Sequence, residues 1–337
     1  MSDRSKIEWT DATWNPLRAE NPATGKAGHH CVKISPACAH CYAASMNKRL
    51  GTGLDYSSNS PAQTFIDKEA LMKPFHWKRP RRIFPCSMTD LFLDSYSDSE
   101  LDCVFAVMAA NPRHTFQVLT KRPERLYAYC EALQQVADDH APQTKFGTFT
   151  PTQVLNLRML AGSPVPGGIL GQAFDAPWPL PNVQFGITAE DQKRFDERVP
   201  WLLKTPAAVK FVSCEPLLGS IDLGRHLEIF LGPLGEPDRV NINWVIVGGE
   251  SGQQARPMHP DWARSLRDQC QAAGVPFFFK QWGEWAEADI IRDYEEKRGT
   301  AIDLGDVMMK RVGKKDAGRL LDGREWNEFP QTEAAHA

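Results

Sequence analysis

No apolar run in the 337-residue chain approaches the roughly 18–20 residues that a membrane-spanning helix needs. The N-terminal stretch from Met1 to Asn15 is polar and charged and lacks the apolar core of a secretory signal, so the cytoplasm is the expected compartment. Basic charge is not in excess: 39 Lys and Arg against 42 Asp and Glu leave a net charge of −3, and no global field advertises nucleic acid. A disulfide framework is not expected either, because the 8 cysteines are spread through a long chain of cytosolic character. No internal repeat is visible beyond a strand–helix unit. What is present is an ordinary globular composition, 42% apolar and 24% charged, with enough chain for a sizeable core.

Charge is concentrated locally. The stretch from Lys73 to Arg82 holds Lys73, Lys78, Arg79, Arg81 and Arg82 with Phe75, His76 and Trp77 interleaved. A second basic stretch runs through Lys310, Arg311, Lys314 and Lys315 to Arg319 and Arg324. Basic residues with interleaved aromatics suit phosphate backbones and stacked bases. They also suit the solvated end of a helix, and the two readings weigh about evenly.

Short apolar runs recur, each ending in polar or glycine residues. They are Ile83 to Phe84, Thr115 to Leu119, Val183 to Ile187, Val209 to Val212, Trp244 to Val247 and Val275 to Phe279. Helical spacing fills gaps between them at Asp98 to Asn111, Pro123 to Ala137, Asp191 to Leu203 and Pro260 to Ala273, the last followed by Gly274 as a C-cap. Alternating strand and helix predicts parallel strands with crossover helices. The expected fold is therefore α/β, a partial or closed (β/α) barrel of about six parallel strands, with an open doubly wound sheet as the alternative. The barrel takes residues 1–283, with residues 138–182 as an insertion or lid, and residues 284–337 form a C-terminal extension packing on it. In either architecture the polar clusters after the strands share one face. Asp90, Lys121, Arg122, Glu190, Glu215, Glu250 and Lys280 then converge on one mouth.

Three cysteines stand apart from the other five, which lie in apolar segments and read as small core residues. Cys31, Cys38 and Cys41 are spaced C-x6-C-x2-C in the stretch from His29 to Tyr42. Such a loop presents three thiolates to one metal centre and leaves a fourth corner missing. Either His29, His30 or His40 completes a structural zinc site, or three thiolates hold a [4Fe–4S] cluster whose fourth iron stays open. Spacing alone does not choose. The position of the loop, ahead of a helix from Tyr42 to Leu50 and a barrel with a charged mouth, favours the cluster. Radical chemistry with S-adenosylmethionine needs such an open iron.

A three-cysteine loop followed by a (β/α) barrel resembles the radical S-adenosylmethionine superfamily, whose usual C-x3-C-x2-C spacing differs in the first gap. A narrower resemblance rests on Lys6 to Pro16, the cysteine loop, Trp244 to Gly252 with Arg256 to Pro260, and Lys280 to Gly283 with Gly318 to Arg324. These stretches resemble the phage-associated three-cysteine-motif family, a domain of unknown function, over nearly the whole chain. That family is similar in design to spore photoproduct lyase, which does radical chemistry on a DNA base.

The resemblance implies Cys31, Cys38 and Cys41 as metal ligands, with His40 near the adenine or exposed, and Tyr42 packed under the cluster. It places Ser87, Thr89 and Asp90 at the methionine amino group, and Lys121 and Arg122 at the methionine carboxylate or a substrate phosphate. Thr188 and Glu190 fall where ribose hydroxyls bind. Gly248, Gly249 and Glu250 suit adenine or substrate contact. Glu215 is a candidate acid or base, or a capping carboxylate, and Cys214 a hydrogen-atom donor or a buried thiol. The function implied is a radical S-adenosylmethionine enzyme acting on a nucleobase or modified base, in phage-type DNA, as isomerase, lyase or base-hypermodifying enzyme, with an external electron donor. A zinc-stabilised nucleic-acid-binding protein without catalysis is the alternative. A hydrolytic barrel using Asp90, Glu190, Glu215 and Glu250 leaves the cysteines unexplained.

Overall fold

The computed structural model describes residues 5–140, 150–160, 176–227, 230–231, 237–238, 242–290 and 300–331. The six apolar runs become strands of one parallel sheet: β2 (Arg82–Pro85), β3 (Thr115–Thr120), β4 (Val183–Thr188), β5 (Val209–Cys214), β6 (Trp244–Gly248) and β7 (Phe277–Gln281). A seventh strand, β1 (Ala12–Trp14), joins at the edge, with Ala12 opposite Ile83. The spatial order follows the chain from β1 to β7. A doubly wound sheet would reverse its order at a switch point, so the barrel reading holds. The sheet curls into a half-barrel. Among the described residues β1 and β7 do not pair, which makes the barrel partial.

β4 and β5 are buried at every position, as expected of parallel strands covered on both faces. Strand alternation divides the apolar residues into two layers. Phe185, Ile187, Val212, Cys214, Val245, Val247, Phe277 and Phe279 join the main core beneath the helices. Phe84, Phe211, Trp244, Ile246 and Phe278 fill the concave side together with Trp9. At Gly186 a Cβ would lie 2.4 Å from the Phe211 ring, so glycine there lets that ring lie across the sheet.

Helix α1 (Tyr42–Arg49) stands beside the strand ends, and the outer layer contains α2 (Lys68–His76), α3 (Asp98–Ala109), α4 (Pro123–His140), α5 (Pro151–Leu160), α6 (Gln192–Lys204) and α7 (Pro260–Ala272). Ser97 and Glu100 form a reciprocal capping box on α3. Asp191 caps α6, and its carboxylate accepts from Arg194 N–H. The described part of 138–182 is the end of α4, helix α5 packed against α3 and α4, and the lead into β4. None of it lines the mouth; the rest of that segment lies outside the described residues.

Strands Leu17–Asn21 and Lys26–Gly28, ahead of the cysteine loop, and Gln63–Ile66, after α1, form a small antiparallel sheet. After β7, strands Trp285–Glu287, Ala301–Asp303 and Met308–Arg311 form another. The chain then returns to the barrel, where Phe329 stacks 5.3 Å from both Trp244 and Phe278. The C-terminal extension thus packs on the barrel. No helix among the described residues is long and apolar enough to cross a membrane.

Candidate metal centre and cavity

A cavity of about 440 Å³ opens where the strands end, and all three loop cysteines line it. Cys38 ends a single 3-10 turn (Pro36–Cys38), and Cys41 is the N-cap residue of α1. All three thiols are free and half-buried, whereas Cys86, Cys103, Cys130, Cys214 and Cys270 are free and buried. Burial opposes ionisation of Cys38, but Lys121 and hydrogen bonds from Ile34 and Ser35 hold its thiol below the ordinary cysteine range. Burial, with Asp90 nearby, pushes Cys31 up to about 11.

Three thiols on one wall suit an iron–sulfur cluster with one open iron, and together with a histidine they suit zinc. Zinc with Zn–S bonds of about 2.3 Å holds its sulfurs about 3.8 Å apart. Among the described residues, the group of three donors within 4.8 Å of one another is His259, Asp261 and Asp306, not the three cysteines. His30 and His40, two of the histidines expected to close a zinc site, each make a contact through Nδ1, as a metal-bound histidine also does through its second nitrogen. His30 Nδ1 lies 3.2 Å from the Asp55 carbonyl, and His40 Nδ1 lies 3.2 Å from Glu250 Oε2. His29 sits beside the Leu17 backbone.

Several strand-end residues hold the cysteine loop rather than face the cavity freely. Thr89 donates to the His30 carbonyl at 2.5 Å. Arg122 donates to the Val32 carbonyl at 3.0 Å and pairs with Asp90 at 3.1 Å. Asp90 also accepts from Thr120 Oγ1, Phe92 N and Lys121 N. With four donors on its two oxygens, Asp90 has no acceptor left for a methionine amino group, which corrects that expectation. Glu190 is fully buried. It accepts from Ala37 N at 3.4 Å and pairs with Arg198 at 2.9 Å, so it anchors the loop and does not reach a ribose. Glu250 takes two guanidinium bonds from Arg256, at 2.8 and 2.5 Å, and Arg256 in turn donates to the Pro36 carbonyl at 3.1 Å. Burial favours the neutral forms of Glu190 and Glu250, but Arg198 and Arg256 outweigh it and hold both below the usual carboxylate range. Tyr42 donates to the Ser87 carbonyl at 2.5 Å, joining α1 to the end of β2.

The opposite wall carries a second cluster. Glu215 Oε2 accepts from Trp9 Nε1 at 3.2 Å and from Ser213 Oγ at 3.0 Å, while Oε1 pairs with Lys280 at 2.9 Å. This pair bridges β5 and β7 across the end of β6. A Cβ on Gly248 would lie 2.6 Å from Glu215 Oε1, so glycine leaves room for the carboxylate. A Cβ on Gly249 would lie 1.9 Å from the Trp282 carbonyl oxygen. The Cβ side of both glycines thus faces the protein's own atoms, and Gly249 also lines the cavity. Cys214 is corrected too: strand alternation turns Ser213 and Glu215 to the cavity and buries Cys214 in the core under the helices.

Of the residues expected at the mouth, His40, Tyr42, Ser87, Thr89, Asp90, Lys121, Arg122, Thr188, Glu215, Gly249 and Glu250 line the cavity with the three cysteines. Glu190, Gly248 and Cys214 do not. Lys121 Nζ lies 3.5 Å from Thr188 Oγ1 and makes no ion pair among the described residues. Sequence reasoning missed Trp9, Glu8 and Ser213; Glu8 and Trp9 fall in the Lys6 to Pro16 motif, which was a usable signal. The basic stretch from Lys73 to Arg82 leads into the start of β2, at the end of the sheet away from the cavity. Trp77 there is buried, with the Arg81 guanidinium 5.2 Å from its ring, and Arg82 pairs with Asp11 at 3.0 Å. In the second basic stretch, Lys314 lines the cavity and lies 3.3 Å from Glu8.

Residues 4–330 match the model of a family described as a protein of unknown function, DUF5131, and the chain belongs to that family. No curated protein and no solved structure gave a match.

Proposed function

We propose that this DUF5131 protein is a radical S-adenosylmethionine enzyme with a [4Fe–4S] cluster on Cys31, Cys38 and Cys41. The observation that carries this reading is a trio of half-buried free thiols on the wall of a strand-end cavity. When bound, a reduced cluster with one open iron supplies the electron that cleaves S-adenosylmethionine to methionine and a 5′-deoxyadenosyl radical, which abstracts hydrogen from substrate. The chain's own residues position and enclose. Thr89, Arg122, Glu190 and Arg256 fix the loop that carries the ligands. Lys121 is the cation for the methionine carboxylate, with Thr188 beside it. Glu215 and Lys280 offer an acceptor and a donor to the substrate above the Trp9 and Phe84 rings, which are 4.9 Å apart.

For substrate we favour a nucleobase or modified base, in phage-type DNA, and a base within a duplex would have to be flipped out to reach this cavity. Isomerase, lyase and hypermodifying reactions all fit. The reading includes an external electron donor. It also assigns the cytoplasm, since free thiols and a reduced cluster need a reducing compartment.

The test is anaerobic purification and reconstitution with iron and sulfide. The expected product is brown, with a broad band near ~400 nm that Cys38→Ala abolishes, and it forms 5′-deoxyadenosine with dithionite. A colourless protein holding one zinc per chain refutes the proposal.

A further inference from the structure

Six large apolar side chains are exposed among the described residues: Ile34, Tyr42, Met46, Leu50, Met308 and Leu320. Four of these lie between residues 34 and 50. Ile34, 44% exposed, is in the cysteine loop, and its backbone hydrogen-bonds the Cys38 thiol. Tyr42, Met46 and Leu50, 52%, 48% and 53% exposed, recur every fourth residue from the start of α1. That spacing lines them along one side of the helix, and the helix begins at the residue after Cys41. Ala43 and Asn47 occupy the buried side. The stripe therefore abuts two of the three thiols.

Charge on this segment is one-sided. From Asn21 to Leu54 the chain has no Asp or Glu, although its net charge is −3. Lys26, Lys33, Lys48 and Arg49 are all exposed there. Lys26 Nζ reaches the Gly51 carbonyl at 3.4 Å, which places it at the far end of α1. An apolar centre with a cationic rim is the anatomy of a protein-docking surface for an acidic partner. Phosphate recognition would need the cations at the centre, and Ile34, Met46 and Leu50 offer a nucleic acid nothing to pair with.

We infer that α1 and the outer side of the cysteine loop dock a small acidic flavin-carrying protein. In the docked complex one electron passes from the partner's reduced group to the centre held by Cys31, Cys38 and Cys41. The partner is oxidised by one electron, the centre is reduced by one, and no atom is transferred. This inference rests on the iron–sulfur reading above.

The test uses the reconstituted full chain with an acidic FMN flavodoxin as probe, and two double variants: Met46→Glu with Leu50→Glu, and Lys48→Glu with Arg49→Glu. All four side chains are exposed, and circular dichroism checks the fold. Binding of the oxidised flavodoxin is measured by anisotropy at several salt concentrations, and 5′-deoxyadenosine formation is driven in parallel by reduced flavodoxin or by dithionite. Both variants are expected to weaken binding and flavodoxin-driven turnover by about tenfold or more, with dithionite-driven turnover unchanged. Unchanged binding and flavodoxin-driven turnover would overturn the inference, as would absence of flavodoxin binding to the wild type. Loss of DNA affinity in the variants with intact flavodoxin-driven turnover would also overturn it and assign the face to nucleic acid. If dithionite yields no 5′-deoxyadenosine from the wild type, the radical reading fails and takes this inference with it.

Discussion

Gly248 and Gly249 are adjacent, yet alanine at each is expected to do something different. Neither has a positive φ, so the backbone itself accepts a Cβ. At Gly249 that Cβ would sit 1.9 Å from the Trp282 carbonyl oxygen and 2.6 Å from its carbonyl carbon. Bringing the oxygen contact to the floor of about 3.0 Å found for real Cβ atoms requires a backbone shift of about 1.1 Å. The ends of β6 and β7 are joined there by Gly249 N to the Gln281 carbonyl at 2.9 Å and Glu284 N to the Glu250 carbonyl at 3.1 Å. Losing both bonds costs about 2 kcal/mol, and overpacking adds 1–3, so Gly249→Ala should cost about 3–5 kcal/mol. At Gly248 the obstacle is Glu215 Oε1 at 2.6 Å, the end of a flexible side chain. The carboxylate can swing aside, giving up its 2.9 Å contact with Lys280, at a cost of about 1 kcal/mol. Urea denaturation of both variants at fixed m-value measures the difference. Equal destabilisation of the two, or a Gly249→Ala midpoint close to wild type, would refute this account of the paired strand ends.

Glu190→Gln removes the partner of buried Arg198 and should destabilise by about 3–5 kcal/mol in the same denaturation assay; a cost below 1 kcal/mol would rule out a structural role for the pair. Glu190 and Glu250 are both held below the usual carboxylate range, so they bind fewer protons folded than unfolded. Their stabilisation is present above about pH 4.5 and is lost as pH falls through their lower folded values, so wild type should lose stability in acid more steeply than Glu190→Gln. Burial pushes Lys210 down to about 8, with its ammonium donating to the Leu203 carbonyl at 2.6 Å. A base with a depressed folded pKa opposes folding while it is charged, so Lys210→Met should gain up to about 3 kcal/mol at pH 7. That gain should shrink as pH rises from 8 through 10.5, and a gap that does not change with pH would contradict the burial argument.

Strands β2 to β7 were legible because each is an apolar run of strand length with a polar stop, and β4 and β5 fall where expected. β1 was not. Ala12–Trp14 is too short for a periodicity, and it is a strand only because Ala12, Thr13 and Trp14 pair with Ile83, Phe84 and Pro85 about seventy residues away. Helix α2 was hidden by Pro74 within it and by the basic composition of its last turn, which invited a nucleic-acid reading. What that composition does in the fold is pack: Trp77 is buried, and Arg81 and Arg82 meet Trp77 and Asp11. Whether the barrel closes depends on whether β1 meets β7, and neither strand's own residues encode that meeting.

At the mouth, the residue types were readable and their partners only partly so. Glu190 with Arg198 and Glu250 with Arg256 are eight and six residues apart, near enough to suggest local pairs. Their second contacts, to Ala37 and Pro36, span 153 and 220 residues and follow only from the fold. Those distant contacts change the chemistry available. A carboxylate bound by an arginine and a loop backbone is a strut, and three of the expected acidic groups, Asp90, Glu190 and Glu250, are struts for the cysteine loop. The groups left to meet a cofactor or substrate are Lys121 and Thr188 on one wall and Ser213, Glu215 and Lys280 on the other. A hydrolytic mouth would need several carboxylates free to hold a divalent ion. With three committed to the loop and Glu215 engaged by Trp9, Ser213 and Lys280, the acidic residues serve chiefly to hold the cysteines in place, which is the arrangement a cysteine-held centre requires.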